Sequence, residues 1–226
     1  MRFELMHEGS NAIVRVALER GEHIKAEPGS TLARSKKLKV YGRMWGGIFG
    51  AIKRVMLGGE SFFFQEIHAE EFAGEVMIAP TRPGDIKIIK LEHEHDYYVK
   101  GGALLGAFGD INMDTRMQKL TAGMFGGTGV FALHLRGDGH IAISSFGAIL
   151  EVGVAAGEEY VIDNGHVVAW SADTELHVVK AGATWMSSMT SGEGLGCKFV
   201  GPGKVWVQTR NPEAFGQWVR RFVPVR

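Results

Sequence analysis

The chain has little of several features that would identify a function class. Its single cysteine, Cys197, excludes an internal disulfide framework and favours a reducing compartment. Its formal net charge is zero, with 25 basic and 25 acidic side chains, so no global field attracts nucleic acid or anionic lipid. No apolar run approaches the roughly 20 residues that span a bilayer, and the charged N-terminus does not form a signal peptide. These absences predict a soluble cytoplasmic protein.

Proline is also scarce, at 6 residues, whereas glycine is abundant, at 32 of 226. This combination suits many tight turns and close strand crossings better than it suits disorder. Hydrophobic residues make up 45% of the chain, which is enough for a sizeable core. All-β domains often reach this length as one unit, so we expect a single all-β domain spanning residues 1–226.

A strand–turn–strand unit is repeated along the chain. Its clearest copy, residues 157–170, carries Asp163-Asn164-Gly165-His166 between β-branched residues. Asn-Gly is typical of tight hairpin turns because it tolerates positive φ. Two further copies, residues 21–33 and 96–106, have Gly29 and Gly102 at the position of Gly165.

These turn glycines recur every 63 to 73 residues, which predicts three small β units that share a core. The approximate bounds of the units are residues 1–58, 59–126 and 127–226.

Three apolar connectors separate strand runs. Residues 44–57 show helical spacing of apolar side chains, residues 112–129 form a Met-rich amphipathic stretch, and residues 184–191 form a shorter connector. Near the C-terminus, Phe215, Trp218, Val219 and Phe222 recur at i, i+3, i+4 and i+7, which predicts a short helix over residues 213–222.

The C-terminal half carries motifs that resemble a known family. They are Val161-Ile162-Asp163-Asn164-Gly165-His166-Val167-Val168-Ala169-Trp170, Ser191-Gly192-Glu193-Gly194-Leu195, and a run from Phe199-Val200-Gly201-Pro202-Gly203-Lys204 through Val205-Trp206-Val207-Gln208-Thr209-Arg210-Asn211-Pro212. With Gly58-Gly59-Glu60-Ser61-Phe62-Phe63, the chain resembles the mitochondrial-biogenesis family named for altered inheritance of mitochondria. The resemblance implies three tryptophan-attenuator-like units, each a short double-stranded β-helix, assembled into rings, and it implies no catalytic residues.

Glu92-His93-Glu94-His95-Asp96 is the cluster with metal-ligand character. On a strand, His93 and His95 would share a face, as ligands do in cupins. A cupin site also wants a nearby Glu and a distant His, whereas Tyr97 and Tyr98 follow here, so a solvated loop is the simpler interpretation.

Cys197 alternates inward with Leu195 and Phe199, which fits a buried thiol better than a nucleophile. The Gly-x-Gly pairs at residues 192–194 and 201–203 lack the strand-to-helix context of a phosphate loop, and we interpret them as turns.

Residues 34–41 predict a basic strand with Leu38 and Val40 on one face. Its cations, with Arg43 and the aromatic Tyr41, would suit RNA phosphates and bases, although an exposed strand face is the simpler interpretation. At the end of a later strand, Gln208-Thr209-Arg210-Asn211 could form a site, or Arg210 and Asn211 could satisfy backbone carbonyls or cross a subunit boundary.

No acid, base and nucleophile set converges in the sequence, so we expect a non-enzymatic, self-assembling β scaffold without catalytic, cofactor-binding or metal-binding residues. Open strand edges favour a homotrimer or ring, and the apolar connectors at residues 44–57 and 113–125 would suit a protein partner or a membrane surface. The alternatives are an RNA or small-ligand binder and a metal-dependent cupin-like enzyme. Nucleic acid is the partner that the balanced charge favours least.

Overall fold

The computed structural model describes residues 1–44, 63–118, 130–180 and 195–223. Within these ranges the chain is predominantly β, as the sequence predicts, with one short α-helix near the C-terminus. The strands are β1 (Arg2–Met6), β2 (Ile13–Leu18), β3 (His23–Ala26), β4 (Thr31–Arg34), β5 (Lys39–Met44), β6 (Phe63–His68), β7 (Gly74–Ile78), β8 (Ile86–Leu91), β9 (Tyr97–Lys100), β10 (Leu104–Gln118), β11 (Val130–Ser144), β12 (Ile149–Val154), β13 (Glu159–Asp163), β14 (Val167–Ser171), β15 (Glu175–Lys180), β16 (Leu195–Val200) and β17 (Gly203–Gln208). Helix α1 spans Pro212–Arg220.

The described strands form three antiparallel sheets. A ten-stranded sheet runs in the order β12-β17-β14-β9-β11-β10-β3-β6-β5, with β8 paired to β11. A four-stranded sheet runs β1-β2-β7-β4, and a three-stranded sheet runs β13-β16-β15. The long sheet therefore links the two ends of the chain through β9, β10 and β11.

The buried side chains form three clusters, whereas the sequence predicts one shared core. The first cluster is built around Val16 and Ile78, the second around Leu133 and Ile141, and the third around Trp170 and Phe199. Two sheets that pack face to face enclose a layer only about 10 Å thick. Because the thickness of this apolar layer is fixed, a longer chain buries more apolar surface by forming additional layers along the chain. It cannot do so by making one layer thicker.

The two longest strands, β10 and β11, each have 15 residues and pair along their whole length. Gly109, Gly137 and Gly139 lie near their middle with φ of +102°, +119° and +154°. A Cβ on Gly137 would lie 2.2 Å from the Asp110 carbonyl oxygen, so the two backbones approach as only glycine permits. The prediction of a connector from residue 112 is wrong up to Gln118, because these residues pair with β11 as a strand.

The prediction of one basic strand over residues 34–41 is also wrong. Strand β4 ends at Arg34, a turn follows, and β5 begins at Lys39. Leu38 lies in this turn and is 1% exposed, whereas Val40 is 39% exposed, so the two do not share a buried face. The Leu38 amide closes the turn by donating to the Ser35 carbonyl.

The expected hairpin geometry at Gly165 is a further correction. Gly29 and Gly102 have the positive φ that the repeat predicts, +81° and +70°. Residues 164–166 instead form one turn of 3-10 helix, in which neither Asn164 nor Gly165 has positive φ. The Asp163 side chain stabilises this alternative turn by accepting from the Gly165 amide.

Helix α1 begins one residue before its predicted start and ends two before its predicted end. Residues 45–57, 119–125 and 184–191, which include most of the predicted apolar connectors, lie outside the described residues.

Candidate functional site

Two segments singled out by the sequence, residues 163–166 and 208–211, lie side by side. Gln208 ends β17 and is only 7% exposed. Its Nε2 donates to the Gly165 carbonyl at 2.8 Å, and its Oε1 accepts from the Phe146 amide at 2.9 Å. The Gln208 carbonyl oxygen lies 2.7 Å from Nδ1 of His166. Gln208 therefore joins the turn after β13 to the loop before β12.

Asn211 connects the same turn to α1. Its Oδ1 accepts from the Glu213 and Ala214 amides at 2.9 and 3.2 Å, which makes it the helix N-cap. Its Nδ2 lies 3.5 Å from Oδ1 of Asp163. The interpretation that Asn211 satisfies backbone carbonyls is therefore wrong. The first amides of a helix have no intrahelical acceptor, and the Asn211 oxygen supplies one.

Gly165 leaves space for this contact. A Cβ at residue 165 would lie 2.0 Å from Nδ2 and 2.5 Å from Cγ of Asn211. The glycine is therefore required by the neighbouring side chain rather than by its own backbone torsions.

Thr209 and Arg210 complete the connection. The Thr209 Oγ1 accepts from the Ala148 amide at 2.9 Å, and the Arg210 amide donates to the Phe146 carbonyl at 3.2 Å. A Cβ on Gly147 would lie 2.4 Å from the Thr209 Oγ1. The segment at residues 208–211 thus fixes the loop before β12, the 3-10 turn and α1 relative to one another.

A cleft of about 170 Å³ opens beside this connection and includes Arg82 and Lys100 in its lining. The Lys100 Nζ donates to the Asn164 carbonyl at 2.6 Å, and the Arg82 guanidinium donates to the Gly102 carbonyl. Pockets for drug-sized ligands usually measure about 300–1,000 Å³, so this cleft is small. Both cations already contact main-chain oxygens, which favours an internal connection over a ligand site.

Sequence reasoning missed Lys100, although the repeat contains a signal for it. Lys100 precedes the turn glycine Gly102 by two residues, as Asp163 precedes Gly165. Its side chain reaches from the turn segment at residues 96–106 to the segment at residues 157–170, where its Nζ donates to the Asn164 carbonyl.

The cluster at residues 92–96 forms a turn rather than a strand, with the His95 amide donating to the Glu92 carbonyl at 2.8 Å. Its side chains have separate partners. The His93 Nδ1 contacts Asp138 at 2.8 Å, and Glu92 contacts Lys90 at 2.5 Å, which lowers the pKa of the Glu92 carboxyl. Across the described ranges, no group of three or more His, Cys, Asp or Glu side chains could hold a metal ion.

The fifth member of that cluster, Asp96, pairs with His134, which the sequence did not single out. The His134 Nε2 lies 2.9 Å from the Asp96 carboxylate, and the His134 residue is 9% exposed. The imidazole stacks on Tyr98 at 4.7 Å, and Tyr98 stacks on Trp170 at 5.4 Å between ring centroids. Because Trp170 belongs to the third core cluster, this stack ties β9 and β11 to β14.

Cys197 is fully buried, as the sequence predicts. Burial raises the pKa of its thiol to about 11, so the thiolate is scarce at neutral pH. Its Sγ lies 3.8 Å from Oδ1 of Asn164, beneath the 3-10 turn. This environment belongs to a packing residue rather than to a nucleophile.

The basic segment around β4 and β5 also makes internal contacts. The Arg34 Nη1 donates to the Leu38 carbonyl at 2.8 Å, and the Tyr41 hydroxyl donates to Glu70 at 2.7 Å. The Lys37 Nζ lies 4.6 Å from the centroid of the Phe72 ring. An acidic side chain thus lies at the Tyr41 hydroxyl, where its charge would repel an RNA phosphate.

Comparisons with known proteins agree with one another. The model of the family described as mitochondrial biogenesis AIM24 matches residues 3–210. An uncharacterized protein of Streptococcus pyogenes serotype M6 is 31% identical over 233 residues, which cover 99% of this chain and 92% of that protein. A crystal structure of another S. pyogenes protein has a TM-score of 0.82 and 29% identity, with 98% of this chain and 99% of that chain covered.

In the part of the chain that the structure describes, no helix has the length and apolarity needed to cross a membrane.

Proposed function

We propose a function that starts from one premise: the chain belongs to the mitochondrial biogenesis AIM24 family. The proposal is that the protein is a non-enzymatic β scaffold. Copies of the chain assemble into a ring, most simply a trimer. We further propose that it works in the cytoplasm. The observation that carries the proposal is a recurring order of strand pairing that leaves unpaired edges at both ends of the series.

The pairing order is identical in the first and third parts of the chain. In the first, β2 pairs with β7, β3 with β6, β4 with β7 and β5 with β6. In the third, β12 pairs with β17, β13 with β16, β14 with β17 and β15 with β16. In the middle part β8, β9 and β10 all pair with β11, as if two short strands were fused into β10 and two into β11.

A β-bulge marks the same place in each part. The register shifts between Thr31 and Ala33, between Leu104 and Gly106, and between Val167 and Ala169. The skipped residues are Leu32, Leu105 and Val168, each three positions after Gly29, Gly102 or Gly165. A bulge recurring at one position of a unit supports three structural repeats of the double-stranded β-helix type.

The pairing suggests unit bounds that differ from the glycine spacing. Strands β6 and β7 pair with β2 to β5, so we take the first unit to run from residue 13 to residue 78 rather than to end near residue 58. The second unit then spans residues 86–144 and the third residues 149–208.

Each sheet ends in strands without an outer partner among the described residues. An open strand edge is a template for pairing with another chain. Contacts that join the last unit of one chain to the first unit of the next can close as a ring, which removes the two ends of the series.

The candidate site supports a scaffold over an enzyme. Gln208 and Lys100 direct their side-chain polar atoms at main-chain groups of neighbouring segments, and Asn211 caps α1 and contacts the Asp163 side chain. A catalytic group must instead reach the proton or atom on which it acts. These residues act as connectors that hold the third unit in a fixed position.

Light scattering of the purified chain tests the proposal. We expect a mass near three times the 24.7 kDa of one chain at micromolar concentration. A mass equal to one chain would overturn the ring and the scaffold function built on it.

A further inference from the structure

Two junctions inside the chain join successive units by the same kind of strand pair. At the first, β3 pairs antiparallel with β10, with Ala26 opposite Gly106 and Ile24 opposite Phe108. At the second, β9 pairs antiparallel with β14, with Val99 opposite Ala169 and Tyr97 opposite Ser171. At the first junction, the strand before Gly29 pairs with the strand after Gly102. At the second, the strand before Gly102 pairs with the strand after Gly165.

The register is the same at both junctions. Ala26 and Val99 each lie three residues before a turn glycine, and Gly106 and Ala169 each lie four residues after one. The pairing rule is therefore conserved between two junctions of different sequence.

The same rule leaves one strand of each kind without a partner. Strand β13 precedes Gly165 and ends the three-stranded sheet, and β4 follows Gly29 and ends the four-stranded sheet. In the described residues neither has a strand on its outer side.

The exposure of apolar residues on β4 indicates a missing neighbour. Leu32 is 61% exposed, whereas its equivalents Leu105 and Val168 are 0% and 1% exposed. At the internal junctions the neighbouring unit covers Leu105 and Val168, the residues equivalent to Leu32. For example, the Glu27 amide donates to the Leu105 carbonyl at 2.9 Å.

Strand β13 shows the same difference. Tyr160 is 49% exposed and Val161 is 57% exposed. The residue equivalent to Tyr160 in the first unit is Ile24, which is 1% exposed. Side chains that are large and apolar at an open edge are costly in a monomer and are explained by a partner strand.

The charges of the two edges are complementary. Glu158 and Glu159 lie at the start of β13, and Arg34, Lys36 and Lys37 lie at and after the end of β4. Opposite charges at two edges favour pairing of one edge with the other over pairing of either with itself.

We infer that β13 of one copy pairs antiparallel with β4 of a second copy, with Ile162 opposite Ala33 and Tyr160 opposite Ser35. This inference rests on the proposed ring and names its contact. The pair continues the three-stranded sheet into the four-stranded sheet of the next copy and buries Leu32 against β13. The Asp163 amide then donates to the Leu32 carbonyl of the next copy, as the Glu27 amide does to Leu105 within the chain.

Disulfide trapping tests this register. At the first internal junction the Glu27–Leu105 bond makes Ala26 and Gly106 a non-hydrogen-bonded pair, in which side chains are closest. The equivalent intermolecular pair is Ile162 and Ala33, so we expect the double variant Ala33→Cys with Ile162→Cys to form covalent dimers and trimers on oxidation. Ile162 lies directly opposite Cys197 in the β13–β16 pair, so all of these variants are made in a Cys197→Ala background, which prevents an intrachain disulfide between residues 162 and 197.

The matched control is Ala33→Cys with Tyr160→Cys, which shifts one cysteine by two residues along β13. Diagonal neighbours lie about 7–8 Å apart, beyond the reach of a relaxed disulfide, so this variant should stay monomeric on non-reducing gels. Should the Ile162 variant fail to fold, Tyr160→Cys with Ser35→Cys offers a second pair in the inferred register.

The outcomes separate the inference from the function it rests on. Light scattering could show an oligomer while both in-register cysteine pairs cross-link no more than the control. This result would overturn the β13–β4 pairing and leave the ring intact. A single-chain mass for the unmodified protein would overturn both.

Discussion

Gly165 lies directly against the side chain of Asn211, and this contact decides what residue 165 tolerates. Because a Cβ would lie 2.0 Å from the Asn211 amide nitrogen, we expect Gly165→Ala to lower the free energy of unfolding by about 1–3 kcal/mol. The measurement is urea unfolding at a fixed protein concentration.

Two comparisons make the Gly165 result specific. Gly153 lies in β12, and no heavy atom would lie within 4 Å of a Cβ there, so Gly153→Ala should not destabilise the chain. In an Asn211→Gly background, where the obstructing amide is absent, the cost of Gly165→Ala should largely disappear. An equal cost in both backgrounds would contradict the contact as its cause.

Cys197 should be chemically inert in the folded chain. A thiol pKa raised from 9.0 to about 11 leaves about a hundredfold less thiolate at pH 8, and burial blocks access as well. We therefore expect iodoacetamide to label Cys197 at least a hundredfold more slowly in buffer than in denaturant. Rapid labelling of the native chain would place the thiol at an accessible surface.

The same shift predicts a loss of stability at alkaline pH. A thiol with a raised folded pKa contributes fully below the unfolded value near 9, and the contribution is lost as pH rises towards about 11. Unfolding free energies measured across this window should fall less steeply for Cys197→Ala than for the unmodified chain. Parallel curves would show that the thiol does not titrate with folding.

At the scale of elements, helix α1 is fastened to the sheets mainly through its N-cap and one ring. Phe215 packs on Phe146 at 5.1 Å between centroids, and Phe146 is 7% exposed. Trp218 is 53% exposed, and its ring contacts Phe215 and Phe222 in the same segment.

We therefore expect Phe215→Ala to lower the unfolding free energy by about 1 kcal/mol, with Trp218→Ala costing less. Chemical denaturation of the two variants at one concentration makes the comparison. A larger loss for Trp218→Ala would mean that the outer face of the helix is covered.

Local patterns predicted several elements because the physics that forms them is local. The apolar spacing in α1 and the inward alternation of Cys197 and Phe199 both lie within a few residues. The strand over residues 112–118 resembles an amphipathic connector because Met113 and Met117 lie four residues apart, whereas long-range pairing with β11 decides its structure.

The turn at residues 163–166 also depends on long-range contacts that a local sequence pattern does not reveal. The Asn164-Gly165 pair correctly marked a turn, but its conformation depends on Asp163 and on Asn211, which lies 46 residues after Gly165. The connection made by Gln208 could not be inferred either, since a buried glutamine resembles an exposed one until its partners are known.

At the scale of the molecule, the proposed three-unit series would carry Glu158 and Glu159 at one end and Arg34, Lys36 and Lys37 at the other. Continuing the inferred register by one residue brings Glu159 of one copy opposite Lys36 of the next. Within its own chain Glu159 also contacts Lys198 on the neighbouring strand β16 at 2.8 Å, so Lys36 of the next copy would share this carboxylate with Lys198.

Charge reversal should therefore weaken assembly in either single variant and restore it in the pair. Glu159→Lys faces Lys36 with a like charge, and Lys36→Glu faces Glu159 with a like charge, at a cost of about 0.2–1 kcal/mol per contact. The double variant recovers an opposite pair at every contact around the ring, so its dissociation by dilution should approach that of the unmodified chain.

Sedimentation over a concentration series at low salt measures the effect, with Glu94→Lys in the exposed turn at residues 92–95 as the control. The differences should shrink in about 1 M salt, where the Debye length is about 3 Å. A double variant that dissociates as readily as the singles would show that these two side chains do not meet across the interface.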